Sequence, residues 1–301
     1  VRHSQLKAFH HVALLGGFSR AAEALCHTQP AISEQVRKLE QDHDVLLFHR
    51  ERKRVHLTEA GETLFRMTRQ YFEIEQQIEE YMSETGAAIE GELRIIADSA
   101  HHVTTILTEF RKKYPNVTVT LRVGNTKEIV EELRGYNAEI GIAGSVDPGK
   151  DMDTLSLGST EITAFAERGF LPAAKRCLTL EELSKLPLIF REEGSKTRAK
   201  LVEAAAEHHI RLKPAIVAEG REAVREVVAS GAGIGFVSRA EFGHDDRLVQ
   251  ISLTDVDLKM SETLVHLAQR REVKVIRHFM SVARKEMSFE SDRSSEATSR
   301  G

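Results

Sequence analysis

The sequence predicts an α/β protein in three parts: a helical head, one long amphipathic helix and a two-set α/β body. Three observations carry this. Residues 18–40 hold two short helical patterns joined by a tight link, residues 60–81 repeat apolar side chains in steps of four and three, and from residue 91 strand-like and helix-like segments alternate. A length of 301 residues agrees, because single cores rarely outgrow about 250–300 residues.

The head begins with a helix over 4–15 that turns Leu6, Phe9 and Ala13 inward. In FSRAAEALCHTQPAISEQVRKLE, Ser19 is a candidate cap for a helix with Ala21, Ala22, Ala24 and Leu25 on its apolar face. Cys26-His27-Thr28 forms the link; Thr28 can cap the next helix, and Pro30 sits in its first turn, where a missing N–H costs little. Ile32, Val36 and Leu39 give that helix a buried face and leave Gln29, Ala31, Ser33, Glu34, Arg37 and Lys38 outward. Two small-residue helices with a polar outer face suit a helix-turn-helix entering a DNA major groove. Arg50, Arg52, Lys53 and Arg54, followed by alternating Val55 and Leu57, read as a two-stranded wing with a basic tip.

Charge is distributed accordingly. The chain carries a net −4, yet residues 1–57 hold nine Lys/Arg against six Asp/Glu, so the head is +3 and the rest −7. A basic end on an acidic body fits a protein that presents one end to nucleic acid. Seven of the fourteen histidines lie in the head without metal-site spacing.

Thr58 is a further N-cap, with Glu59 and Glu62 in the first turn. Ala60, Leu64, Met67, Tyr71, Ile74, Ile78 and Tyr81 then form a three-heptad seam between strongly polar positions, which calls for a partner helix. Residues 84–90 read as a hinge. In the body, strands are expected at 91–98, 117–123 and 139–143, with helices 102–114 and 126–136 between them. A second set follows: strands 161–166, 188–191, 215–218, 234–238, 248–253 and 263–268, and helices 180–185, 196–209, 221–230 and 273–286. Such alternation predicts parallel sheet covered on both faces. From Ser288 the tail shows no apolar period and is expected to be disordered.

The stretch FSRAAEAL..TQPAISEQVRKLE....LLFHR..KRVHLTEAG resembles the DNA-binding domain of LysR-type transcriptional regulators in motif order and spacing. The resemblance implies a winged helix-turn-helix over 1–57, a dimerisation helix and hinge over 58–90, and a two-lobed, periplasmic-binding-protein-like effector domain over 91–287. Lobe I would span about 91–160 and 267–287, lobe II about 161–266, with the tail at 288–301. It also implies a double-stranded operator, a homodimer that pairs into a tetramer, RNA polymerase as a further partner, and a cytoplasmic location. Base edges would be met by Gln29, Pro30, Ser33 and Glu34, and phosphates by Arg20, Lys38, Arg50, Arg52, Lys53 and Arg54. Glu34 departs from the family, which usually has a basic residue there; a carboxylate can accept from cytosine N4 but repels phosphate.

Ligands of open α/β sheets sit beyond strand carboxyl ends, against helix N-termini. Four junctions qualify, and Ser99, His102, Asn125, Thr126, Ser195, Thr197, Arg198 and Arg221 are the candidate contacts for a small anionic effector. Residues 219–248, with GREAVRE and AEFGHDDRL, resemble a LysR subgroup associated with 2-aminoethylphosphonate catabolism, whose ammonium would need Asp98 or Glu193. A carboxylate, sulfonate or amino acid is the alternative effector. The segment TAFAERGFLPAAKR departs from the family's apolar strand and proline turn.

Other classes fit less well. GAGIG at 231–235 precedes a strand instead of opening a helix, unlike a dinucleotide loop. No G-x-S-x-G, H-E-x-x-H or P-loop occurs, so no catalytic residue or cofactor is expected. The two cysteines, 26 and 177, are far apart, and the adjacent pairs His101-His102 and His208-His209 suit no single metal, so no metal site is expected. No apolar run is long enough to span a membrane and no signal-like start is seen, which counts against a solute-binding protein.

Overall fold

The computed structural model describes residues 1–51, 54–82, 89–144, 149–172 and 175–298; for Arg50, Glu51, Arg54, Glu80, Tyr81, His102 and 289–298 the backbone alone is described. The chain divides into two compact units, Val1–Gly86 and Ala87–Gly301.

The first unit contains α1 (His3–Leu15), α2 (Phe18–Ala24), α3 (Gln29–Asp42), the hairpin β1 (Phe48–Glu51) and β2 (Arg54–Leu57), and α4 (Glu59–Met82). Phe9, Val12, Ala21, Ala22, Ile32, Val36, Leu39, Leu47, Phe48 and Phe65 form its core, so the apolar spacing of the helix-turn-helix is met. Two details differ from expectation. Gly17, in extended conformation, takes the N-cap position before α2, so Ser19 is already helical, and Ala24 is exposed. Thr28 does precede α3, with Pro30 in its first turn, but its side chain makes no capping bond.

The root of the wing is tied twice. Glu40 at the end of α3 accepts from the backbone N–H of Leu47 (2.9 Å) and Phe48 (3.3 Å). Thr58 donates to the carbonyl of Leu46 (2.7 Å) and accepts from Gly61 N (3.0 Å), capping α4 as its sequence predicts. A Cβ on Gly61 would lie 2.2 Å from the carbonyl oxygen of Leu47, so only glycine lets α4 start this close.

The second unit holds β3 (Gly91–Ala97), α5 (Thr104–Lys113), β4 (Val117–Val123), α6 (Thr126–Arg134), β5 (Ile140–Gly144), β6 (Met152–Glu167), β7 (Cys177–Leu178), α7 (Leu180–Leu183), β8 (Leu188–Arg191), α8 (Lys196–Glu207), β9 (Pro214–Ala218), α9 (Arg221–Ala229), β10 (Gly235–Ser238), β11 (Leu248–Leu253), β12 (Lys259–Leu267) and α10 (Lys274–Thr298). The main sheet runs β4-β3-β5-β12-β6-β11-β7, with β10 also against β6 and a separate β8-β9 pair. Strands β3, β4 and β5 are parallel, whereas β12 and β6 run antiparallel through the middle, so the sheet is mixed rather than parallel throughout.

Three further expectations are corrected. β6 starts at Met152, nine residues before the expected strand, and continues from one lobe into the other. β12 has its register shift between Glu262 and Thr263, and Thr263–Val265 already pair with β5; the second crossing therefore falls there, not at 266–267. α10 continues to Thr298, so the tail expected to be disordered is helical that far; SFESDRSSEAT contains neither Gly nor Pro, and an existing helix propagates cheaply. The hinge expected at 84–90 lies mostly outside the described residues.

Lobe I packs α5 and α10 on one sheet face through Ile106, Phe110, Ile276 and Phe279, and α6 on the other through Ile129 and Leu133. Lobe II has its own clusters around Leu180, Leu201 and Phe236, and around Phe165, Val224 and Val228.

Candidate functional site

In the first unit the opening turn of α3 is presented outward: Thr28, Gln29, Pro30 and Ala31 are exposed, and Ser33 and Glu34 half-buried. Glu34 is engaged along the helix by Arg37 (2.7 Å) and by Lys38 (3.6 Å), and the Arg37 hydrogen bond holds its carboxyl below the usual range. It is ionised and internally paired, which removes the clash a lone carboxylate would have with phosphate. Arg20 is exposed and donates to the carbonyl of Gly16 (2.9 Å). Arg50 and Arg54 lie on the two wing strands, and Arg52 and Lys53 fall outside the described residues.

α4 has two apolar faces. Gly61, Phe65 and Thr68 are buried against the head, where His10 shares a hydrogen bond with Thr68 Oγ1 (3.1 Å) and packs at a tilt on the rings of Phe65 and Phe72. Burial, with His11 and Arg69 nearby, pulls His10 down to about 4, so it is a neutral core imidazole at neutral pH. The other face carries Met67, Tyr71, Ile74 and Ile78, between 44% and 59% exposed. These four belong to the heptad seam and stay exposed among the described residues, with Tyr71 also meeting the His3 ring (6.0 Å between centroids).

In the second unit, parallel strands β3 and β5 end side by side. Asp98 lies just past the end of β3 and Gly144 closes β5, with Asp98 Oδ2 accepting from Gly144 N at 2.9 Å. Ser99 follows, buried, its Oγ accepting from His101 N. Thr126, first residue of α6, faces the carbonyl of Gly144 (3.4 Å). From lobe II, Gly194 (φ +93°) comes so close to Asn125 that a Cβ would lie 2.8 Å from its Oδ1, and Ser195 and Thr197 are buried beside it. Ser99, Asn125, Thr126, Ser195 and Thr197 thus belong to one inter-lobe cleft.

The two cations are already engaged. Arg198 turns back to the carbonyl of Arg191 (3.0 Å) and lines a hollow of about 610 Å³ with Phe190, Ser195, Val202 and Leu212, adjoining the cleft at Ser195. Arg221 reaches the cleft but is ion-paired there with Glu241 (2.9 Å). Asn125 is an N-cap: its Oδ1 accepts from Glu128 N, and Glu128 returns the bond. His102 stands in the turn His101–Val103, its side chain not described. Glu193, the alternative acid for an ammonium, is 94% exposed.

Sequence reasoning missed Glu241 and Glu262. With Asp98 they bring carboxylate oxygens within 4.8 Å of one another. Burial, then the neighbouring Asp98 and Glu241, push Glu262 up to about 9, and burial with Glu241 raises Asp98. The signal for Glu262 was present: in β12 Met260, Glu262, Leu264 and His266 alternate inward, so period two puts a carboxylate on the buried face.

A winged helix-turn-helix head and a two-lobed body with a polar cleft at strand carboxyl ends together define a ligand-responsive DNA-binding regulator. The family models agree in extent. The model described as "Bacterial regulatory helix-turn-helix protein, lysR family" matches residues 3–62, and the "LysR substrate binding domain" matches 86–288. The chain belongs to the LysR family of transcriptional regulators. It is 28% identical over 236 residues to the HTH-type transcriptional activator CmpR of Synechocystis sp., covering 78% of each chain. Among solved structures it resembles a full-length OxyR variant from Pseudomonas aeruginosa (TM-score 0.76, 20% identity, 94% of this chain and 95% of that one). It also resembles full-length CbnR complexed with its target DNA (TM-score 0.65, 20% identity, 95% and 99%). No helix among the described residues is long and apolar enough to cross a membrane.

Proposed function

We propose that this regulator reads its operator with the first turns of α3, dimerises along α4 and responds to a small anion held between its lobes. The carrying observation is the exposed opening turn of α3, where Gln29 and Pro30 project from a fully packed three-helix core. Gln29, Pro30, Ser33 and Glu34 would meet base edges, with Arg20, Lys38 and the wing cations on phosphate. Full-length CbnR is seen complexed with its target DNA; a dimer of this chain would present two such helices to two half-sites, and pairs of dimers would make a tetramer. RNA polymerase is the partner downstream and the cytoplasm the setting.

For the effector, the support is hydroxyl-rich chemistry at three helix starts: Ser99, Thr126, and Ser195 with Thr197. 2-Aminoethylphosphonate is our specific candidate, resting on residues 219–248 alone, with a carboxylate, sulfonate or amino acid as the alternative. A gel shift with DNA adjoining the gene tests the first half of this reading. Arg52→Ala should weaken all sequences alike and lower the slope of log affinity against log salt by about one; a changed base preference at unchanged slope would refute the division of labour. A thermal-shift panel of phosphonates, carboxylates and sulfonates tests the second half, and no shift with any of them would refute the anion.

A further inference from the structure

The outward face of α3 holds one side chain whose setting differs from that of its neighbours. Ile32, Val36 and Leu39 are buried, and at about 3.6 residues per turn the opposite face is centred on Pro30, Glu34, Arg37 and Gln41. Pro30, Ser33, Glu34 and Arg37 fall at i, i+3, i+4 and i+7. A helix lying in a major groove presents its reading side chains at that spacing. Arg37 therefore shares the face of the base-reading residues, one turn further along the helix.

Its guanidinium is anchored on two sides. Nε donates to Glu34 Oε2 (2.8 Å) and Nη2 to Glu34 Oε1 (2.7 Å), a bidentate pair, and Nη1 donates to Gln41 Oε1 (2.9 Å). Lys38 approaches the same carboxylate at 3.6 Å. The side chains of Arg37 and Glu34 are 49% and 42% exposed, and an exposed ion pair adds little to stability. What this one does is geometric. A long side chain that would sample many rotamers is fixed in one orientation before anything binds. Glu34 and Gln41 take three of the five guanidinium N–H groups, and one on each terminal nitrogen is left to donate.

Resting on the reading of α3 as the base-reading helix, we propose that Arg37 reads a guanine in the operator's major groove and that Glu34 positions it. Guanine presents O6 and N7 there as a pair of acceptors, which two N–H donors of an arginine match. Adenine sets a donor beside N7, cytosine presents a donor, and thymine offers O4 beside a methyl group, so two donors favour guanine over each of them. Fixing the guanidinium beforehand removes the ordering cost that a loose arginine would carry into the complex. Glu34 keeps acceptor capacity of its own, a carboxylate having about four lone-pair sites, and can still accept from the cytosine N4 of a neighbouring pair. The pairing also explains how a helix that faces a polyanion carries an acid at its centre: Glu34 serves Arg37 instead of repelling phosphate.

The test uses the full chain and a pool of randomised double-stranded DNA. The preferred site is selected from the pool and then varied one base pair at a time in gel shifts. The wild type should require guanine at one position of each half-site, any other base there weakening binding about tenfold or more. Arg37→Lys keeps the charge but not the paired donors, so it should lose that preference while the slope of log affinity against log salt stays unchanged. Glu34→Ala should lower discrimination at the same pair, and in the Arg37→Lys background it should change nothing further there. A lysine variant that still demands guanine would overturn the proposal. So would an Arg37→Ala variant that weakens all sequences alike and lowers the salt slope by about one, which would make Arg37 a phosphate contact. Additive losses in the double variant would overturn the part given to Glu34. Gln29→Ala separates this proposal from the reading beneath it. If base preference responds to Gln29→Ala and not to Arg37→Lys, α3 still reads the operator and Arg37 does not; if it responds to neither, the reading of α3 fails as well.

Discussion

The two ends of the β3–β5 pair treat buried carboxylates in opposite ways. At the N-terminal end of β5, Glu139 accepts from Arg94 N (2.6 Å) and lies 3.1 Å from Arg270, which also donates to the carbonyl of Ala138. Burial alone would raise its pKa, but the Arg94 hydrogen bonds and Arg270 hold it below the usual range. At the C-terminal end, Asp98 and Glu262 are raised, while Arg191 and Arg221 are engaged by Glu192 and Glu241. The same two strands carry a carboxylate held by two guanidiniums at one end and, facing the cleft, carboxyls that burial and one another push towards the protonated form. Stability is concentrated at one end and responsiveness at the other.

Glu139→Gln should break this contrast most severely. It leaves Arg94 and Arg270 without their shared carboxylate, and loss of a partner from a buried ion cluster costs about 3–5 kcal/mol. A chemical melt of the second unit would show it, and a cost near zero would mean that the cluster is not compensated as its distances imply.

Protonation sharpens the contrast, because the two ends carry opposite signs. Glu139, depressed in the folded chain, contributes stability above the ordinary glutamate range and loses it as pH falls through its folded value. Glu262, raised to about 9, binds its proton more tightly folded than unfolded, so the chain should lose stability as pH climbs from about 4.5 towards 9. Glu262→Gln should flatten that alkaline limb and leave the chain more stable than the wild type at pH 8. A limb of unchanged slope in the variant would assign the titration to Asp98 or Glu241.

Substitution of the seam is comparable in size but acts on association. Ile74→Asp with Ile78→Asp would bury two charges in a dimer interface, costing several kcal/mol, and sedimentation should show monomers. A variant that remains dimeric would put the main interface in the second unit. The smallest expected effect is Asn125→Ala, about 1 kcal/mol for a lost N-cap. Effector affinity changing far more than stability would make Asn125 an effector contact as well as a cap.

Legibility followed the length scale of the physics. Helices, caps and the α4 seam depend on residues three or four apart, and Ile32, Val36, Leu39, Thr58 and the Met67–Ile78 stripe were all readable. β6 was only half legible: over 152–160 polar residues alternate with Leu155 and Leu157 around Gly158, and this looks like loop until β12 is laid beside it. In the cleft, five hydroxyl or amide positions could be placed because helix starts are local. The directions of Arg198 and Arg221 depend on tertiary partners, the carbonyl of Arg191 and the carboxylate of Glu241, and those could not. Glu262 was the missed opportunity, since alternation alone places it inward.

The join between α4 and the wing has a mechanical consequence. Thr58 and Gly61 lock the first turn of α4 onto Leu46 and Leu47, the residues from which β1 departs, with no spacer between them. Torsion about the axis of α4 is therefore delivered straight to the hairpin root. Glu40 holds the same root from α3, and Leu47 and Phe48 share a core with Phe9 and Val36, so the wing and the end of α3 would turn together as one piece.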